Sequence, residues 1–137
     1  MAWTPPDNHV WTANEVLTAS NMNTYLRLNL DFLYGDLAWT APTYTNAWVD
    51  FGGTYRGGGY RLIGTQVYIR GVIKGGAITS SAWTMPVGYR PQLDQQFATV
   101  SNNLFGFAIV NQAGQVICQA GSNLAFSLNG IVFDTLP

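Results

Sequence analysis

A chain of 137 residues suffices for one domain with an arm, and a domain near this size buries roughly 70% of the surface it exposes unfolded. It carries only six Lys or Arg and seven Asp or Glu, 9% of the residues and a formal net charge of −1, far below the ~25% charged share of ordinary domains. That balance excludes the basic field that nucleic acid requires, and with no run near the ~18 apolar residues of a bilayer span it predicts no membrane insertion. Thr, Asn, Gln and Ser supply the polar surface instead. No charged segment followed by a long apolar stretch opens the chain, so export by its own signal is not expected. Work outside a cell would follow lysis or carriage on a particle.

Residues 1–17 hold Trp3, Pro5, Pro6 and Trp11 among Thr, Asn and Asp, a composition that resists helix and predicts an extended arm. Trp3 and Trp11 have no neighbouring element to cover them; they either fold back over the helix or insert into another protein as attachment residues, the second being the expectation. Residues 18–35 predict a helix, with Thr18 or Ser20 as cap, an Arg27–Asp31 pair on the polar side and Gly35 as stop. At about 100° per residue, Leu28, Phe32, Tyr25, Met22, Leu33, Leu26 and Leu30 fill an arc of roughly 200°. A helix docked on its own core needs a stripe only a little over ~100° wide. The excess calls for a further partner, and a second copy of the chain is the expectation. Met22, Leu26, Asn29 and Leu33 follow the four-three-four spacing of an a/d seam, in which Asn29 would fix register. The other reading of Asn29 is a local bond to backbone or to Tyr25. Fewer than three heptads cannot hold a coiled coil alone, so the rest of the chain must share the assembly. Residues 36–46, with Trp39-Thr40-Ala41-Pro42-Thr43, read as a linker.

From residue 47 to 137 strand-like runs recur between turn signals at 48–51, 66–74, 96–101, 104–110, 115–120, 124–128 and 131–134. The run 66–74 alternates with Val67, Ile69, Gly71 and Ile73 on an inward face. Gln112-Ala113-Gly114 predicts a turn, and Asn129-Gly130 predicts a two-residue hairpin joining the last two runs. The same alternation assigns Trp48, Trp83, Phe97, Phe105, Phe107, Phe126 and Phe133 to the core. Cys118, the single cysteine, reads as a small buried hydrophobe. The fold class expected is mainly β: an antiparallel β-sandwich, jelly-roll-like, preceded by the extended arm and one α-helix, with strand order open.

Chemistry-bearing constellations are scarce. His9 is the only histidine and lies in the Pro-rich arm, where nothing would hold a general base in place. With one Cys, one His and no Asp-x-Asp spacing, no metal site and no cofactor are expected. Asp50, Asp94 and Asp134 are the acids that a glycosidase-like pair would draw upon, but strand termination and turn bonding explain them more simply. No catalytic residue is therefore assigned. The segment Gly52-Gly53-Thr54-Tyr55-Arg56-Gly57-Gly58-Gly59-Tyr60-Arg61 lacks the strand-to-helix context of a phosphate loop and reads as a flexible loop between strands. Tyr55, Arg56 and Tyr60 on it are the candidate ligand contacts, toward a glycan or a partner protein.

Two segments bear a family likeness. Trp11-Thr12-Ala13-Asn14-Glu15-Val16-Leu17-Thr18-Ala19-Ser20-Asn21-Met22-Asn23-Thr24-Tyr25-Leu26-Arg27-Leu28-Asn29-Leu30 resembles the N-terminal segment of small tail-associated proteins of tailed bacteriophages, notably those of actinobacterial hosts. Met22 stands where the pattern has Leu, and Leu28 where it has Asp, a change that widens the apolar arc. Trp83-Thr84-Met85-Pro86-Val87-Gly88-Tyr89-Arg90-Pro91 looks like the Leu-Pro-x-Gly-Tyr-Arg-Pro turn of β heads in phage fibres. The two cover about thirty residues. The resemblance implies a virion component, a homotrimer whose arm and helix attach to another virion protein while the β head points outward, three copies acting together on a host cell-surface glycan. A tail-fibre or baseplate-type knob is the leading expectation. A head-associated fibre or capsid decoration protein is the alternative, and a polysaccharide-degrading enzyme the minor one.

Overall fold

The computed structural model describes residues 13, 14, 16, 18–22 and 38–135, and the chain divides into two compact units, Met1–Ala38 and Trp39–Pro137. In the first unit α1 (Ala19–Asn21) begins after Thr18. The Thr18 hydroxyl accepts from the Asn21 amide at 3.1 Å, which satisfies one of the free donors of a helix start. Met22 continues with right-handed helical dihedrals, its amide donating to the Thr18 carbonyl at 3.0 Å. Met22 is 42% exposed. Trp3, Trp11, Leu26, Asn29 and Leu33 lie outside the described residues.

The second unit carries β1 (Val49–Asp50), β2 (Gly59–Ile63), β3 (Gln66–Arg70), β4 (Val72–Lys74), β5 (Ser81–Thr84), β6 (Gln95–Ser101), β7 (Leu104–Val110), β8 (Gln115–Ala120), β9 (Phe126–Ser127) and β10 (Ile131–Asp134). One sheet runs β1-β4-β9-β6-β7-β8-β5 and the other β10-β3-β2, with antiparallel pairing throughout. The head is thus the antiparallel, sandwich-like β fold that the sequence predicts, with sheets of unequal width. Trp48, Trp83, Phe126, Ile69, Ile73, Met85 and Leu128 fill the core. The sheet territory starts before residue 47: Thr40 and Tyr60 exchange backbone hydrogen bonds at 2.8 and 3.0 Å, and Tyr44 packs edge-on against Trp83.

Two departures from the expected strand plan share one cause. The run 66–74 is two strands, because Gly71 at φ +112° turns the chain from the three-stranded sheet into the seven-stranded one. Opposite it, residues 128–130 carry β9 across to β10 in the reverse direction, so Asn129-Gly130 joins two sheets and is not a hairpin. A hairpin of the expected type needs positive φ at both central residues, and here only Gly130 has it. The two crossings are tied together: the Leu128 amide donates to the Gly71 carbonyl and the Gly71 amide to Asn129 Oδ1, each at 2.8 Å. Two-residue hairpins lie instead at Asn102-Asn103, both at positive φ, between Ser101 and its partner Leu104, and at Gly64-Thr65, with Gly64 at φ +60°, between Ile63 and its partner Gln66. Asn tolerates the left-handed region better than other side chains. The predicted turn at 112–114 joins β7 to β8, closed by the Gly114 amide on the Asn111 carbonyl at 2.8 Å.

Face assignment also differs in β7. Its inward residues are the small Gly106 and Ala108 together with Val110, whereas Phe105 is 70% exposed and Phe107 half-buried. These two phenylalanines are therefore not core residues. Gly106 faces the fully buried Ser101, and a Cβ there would lie 2.7 Å from that of Ser101. The inner side has room only for the small members of the alternation.

Burial makes the head sensitive to alkali. The Cys118 thiol, fully buried, is pushed up to about 12 by desolvation. Tyr44 is raised by burial and then by its bond to Asp50, and Tyr60 by burial and then by Tyr89. A folded-state pKa above the unfolded value contributes stability that is complete below the unfolded pKa and is lost as pH rises toward the folded one. Urea midpoints should therefore hold steady to about pH 8.5, the unfolded thiol value, and fall beyond it. Cys118→Ala should flatten the first part of the decline. A decline that Cys118→Ala leaves unchanged would place the titration elsewhere.

Candidate functional site

The glycine-rich segment between β1 and β2 is fastened rather than loose. The Gly58 amide donates to Asp50 Oδ1 at 2.8 Å and to the Tyr44 hydroxyl at 3.0 Å, while Tyr44 donates a short hydrogen bond to Asp50. The Val72 amide donates to the Arg56 carbonyl at 3.0 Å. Gly57 and Gly58 are needed here because a Cβ on either would overlap Asp50 or Tyr44. Of the three candidate contacts on this segment, Tyr55 and Arg56 are exposed, with the Tyr55 ring edge-on to Phe51 at 5.1 Å. Tyr60 is not available: it lies on β2, 8% exposed, packed edge-on to Tyr89 at 5.2 Å. Alternation along β2 decides this, since Tyr60 and Leu62 face the core cluster and Arg61 faces outward.

That outward face gathers residues the sequence reading did not single out as a site. Register places Arg61 opposite Tyr68 and Gly59 opposite Arg70. Trp39 lies over this face, its ring 4.5 Å from the Arg61 guanidinium carbon and 4.1 Å from that of Arg70. Arg61 also stands 5.6 Å from the Tyr68 ring. A Cβ on Gly59 would sit within 3.4–3.6 Å of Arg70 and Trp39, so this glycine forms the floor under both. The Nε atoms of Arg61 and Arg70 are buried without a hydrogen-bond partner. Arg70 is lowered from its ordinary value by desolvation and then by repulsion from Arg56 and Arg61. Strict period two in β2 and β3 puts Arg61, Tyr68 and Arg70 opposite to the buried Tyr60, Val67 and Ile69, a signal present in the sequence. The addition of Trp39 from a segment read as linker has no such signal.

A second surface lies on the wide sheet. Cross-strand pairs Val100–Phe105, Ala98–Phe107 and Ile109–Ile117 place an apolar band on the outer side of β6, β7 and β8. Val100 is 58%, Leu104 73%, Phe105 70% and Leu124 65% exposed. No charged residue occurs in β6, β7 or β8.

The acids serve the scaffold. Besides the Asp50 contacts, Asp94 Oδ1 accepts from the Gln112 amide at 3.0 Å and Asp134 Oδ1 from the Thr65 hydroxyl at 3.4 Å. These three lie in separate turns and strand ends. Among the described residues no group of three or more His, Cys, Asp or Glu could hold a metal ion, and no helix is long and apolar enough to cross a membrane. In the segment that resembles a phage-fibre turn, Arg90 Nε donates to the Met85 carbonyl at 2.9 Å and Gly88 takes φ +95°. Its arginine thus closes its own loop.

No protein-family model and no curated protein sequence matches this chain. In fold it is similar to the receptor binding protein (gp15) of Listeria phage PSA, known from a crystal structure, with a TM-score of 0.59 and 14% identity over 96% of this chain and 90% of that one.

Proposed function

We propose that this chain is a bacteriophage tail component of tail-fibre or baseplate type, a homotrimeric knob that contributes to binding the host cell surface. The observation that carries the reading is the likeness of fold, over 96% of the chain, to a phage receptor binding protein. It agrees with the N-terminal and turn segments that resemble tail-associated phage proteins. In this reading the arm with Trp3 and Trp11 attaches to another virion protein. The seam Met22, Leu26, Asn29 and Leu33 joins the copies, and the protein acts without catalysis or cofactor.

The bare band on β6, β7 and β8 supplies the share of assembly that a short seam cannot. Contiguous exposed apolar surface with no charge marks an association site on a soluble protein, and a neutral face of this kind is complementary to a copy of itself. Light scattering coupled to size exclusion should return about three times the 15.0 kDa chain mass. Phe105→Glu together with Phe107→Glu should shift the profile to monomer while far-ultraviolet dichroism is preserved, since both side chains lie outside the core. A monomeric wild type at micromolar concentration would overturn the assembly reading. Failure of the purified protein to coat cells of the propagating host would overturn the adhesion reading.

A further inference from the structure

We infer that Arg61 and Arg70, stacked about Trp39 with Arg56 nearby, form a binding site for an oxyanion, a phosphate or carboxylate group, on the outer face of the three-stranded sheet. That the group is borne on a host-surface polymer rests on the adhesion reading above; the anion site itself does not.

Half of the six cations of the chain meet at this one place, in a protein whose surface is otherwise nearly uncharged. Like charges at close quarters repel, and the folded chain tolerates them through the indole and phenol faces beside them, which attract guanidinium groups. The rings compensate charge but accept no hydrogen bonds in the plane of the guanidinium. Among the described residues no acceptor meets any of the three side chains, and two Nε atoms are buried and unsatisfied. Buried donors without partners are uncommon in native proteins. A planar fork of N–H groups matches carboxylate or phosphate oxygens in bidentate fashion. The contrast lies in the same molecule: Arg90 has its Nε satisfied by the Met85 carbonyl.

The full-length chain, labelled for arginine Nε–Hε resonances, permits a direct test with Arg90 as internal reference. Sodium phosphate and sodium glucuronate are titrated in parallel, with sodium chloride matched for ionic strength. Saturable movement of the Arg61 and Arg70 signals by phosphate or glucuronate, with Arg90 unmoved, is the expected result, and the tighter of the two identifies the oxyanion. Arg70→Lys keeps the charge but loses the fork, and should weaken binding at least about fivefold with an unchanged melting temperature. Shifts that are linear and equal in all three salts would overturn the site. Where the site binds and the Arg61→Gln, Arg70→Gln variant still coats host cells as wild type does, its use in adhesion is overturned while the anion site stands.

Discussion

Gly71→Ala is expected to lower the stability of the head by about 3 kcal/mol or more, the sum of backbone strain and overpacking. The residue sits at φ +112°, a conformation that L side chains rarely adopt. A Cβ there would approach the carbonyl group of Gly57 and the Cα of Gly58 at 2.5–2.6 Å. Those atoms are backbone and cannot swing aside as a side-chain end could. They also belong to the segment tethered to Asp50 and Tyr44 and joined to β4 through Arg56 and Val72, so any retreat would disturb β1, β2 and the sheet corner together. Gly64→Ala provides the contrast: its φ is +60° but nothing lies within 4 Å of the added Cβ, leaving strain alone, about 1–2 kcal/mol. Urea unfolding of both variants should separate the two contributions. Equal losses would mean that the crossing at Gly71 can relax, and that the paired switch between sheets is not rigid.

Trp48→Ala is expected to cost about 3–5 kcal/mol, against a total of about 5–15 kcal/mol for a domain. The ring is 1% exposed, lies edge-on to Phe126 at 6.1 Å and donates from Nε1 to the Ser80 hydroxyl at 3.1 Å. It rests directly on Gly76, where a Cβ would fall within the ring. Truncation therefore opens a cavity beside Phe126 and Gly76. Thermal melts should drop by well over ten degrees, on the basis of roughly 4 °C or more per kcal/mol for a domain of about 100 residues. Trp48→Phe should recover most of the loss, because the Ser80 hydroxyl retains its own bond to the Ala77 carbonyl. A phenylalanine variant as unstable as the alanine one would assign the stability to the indole hydrogen bond rather than to packing.

Much of the head was legible because period two is a local property. The runs at β6, β7, β8 and β10 are read within a residue of their ends, and the core places of Trp48, Trp83, Phe126 and Phe133 follow from it. β2 and β5 are not legible in the sequence as strands. β2 opens within a glycine-rich stretch that reads as a loop, and its strand character rests on long-range pairing such as that of Tyr60 with Ile69. β5 is four residues, Ser81–Thr84, too short to show a period before the turn that follows it. The candidate ligand residues divided the same way. Tyr55 and Arg56 stay on the surface, whereas Tyr60 is taken into the core by strand alternation.

By itself the sequence determined the class of molecule: a nearly uncharged chain, a helix start capped at Thr18 or Ser20 and a β head built on alternation. It also determined that Cys118 is buried. Only the tertiary structure decided which face of β7 looks inward and where the chain changes sheets. In β7, apolar residues occupy both parities, so hydrophobicity alone does not choose between them; the close approach of Gly106 to Ser101 does, turning Phe105 and Phe107 outward. In the run 66–74 the pattern is unbroken across Gly71, and the switch depends on contacts with Gly57 and Asn129, distant in sequence. The arginine cluster about Trp39 likewise forms from three separate segments. Local periodicity specifies elements, but contacts between residues far apart in the chain specify which surfaces those elements leave exposed.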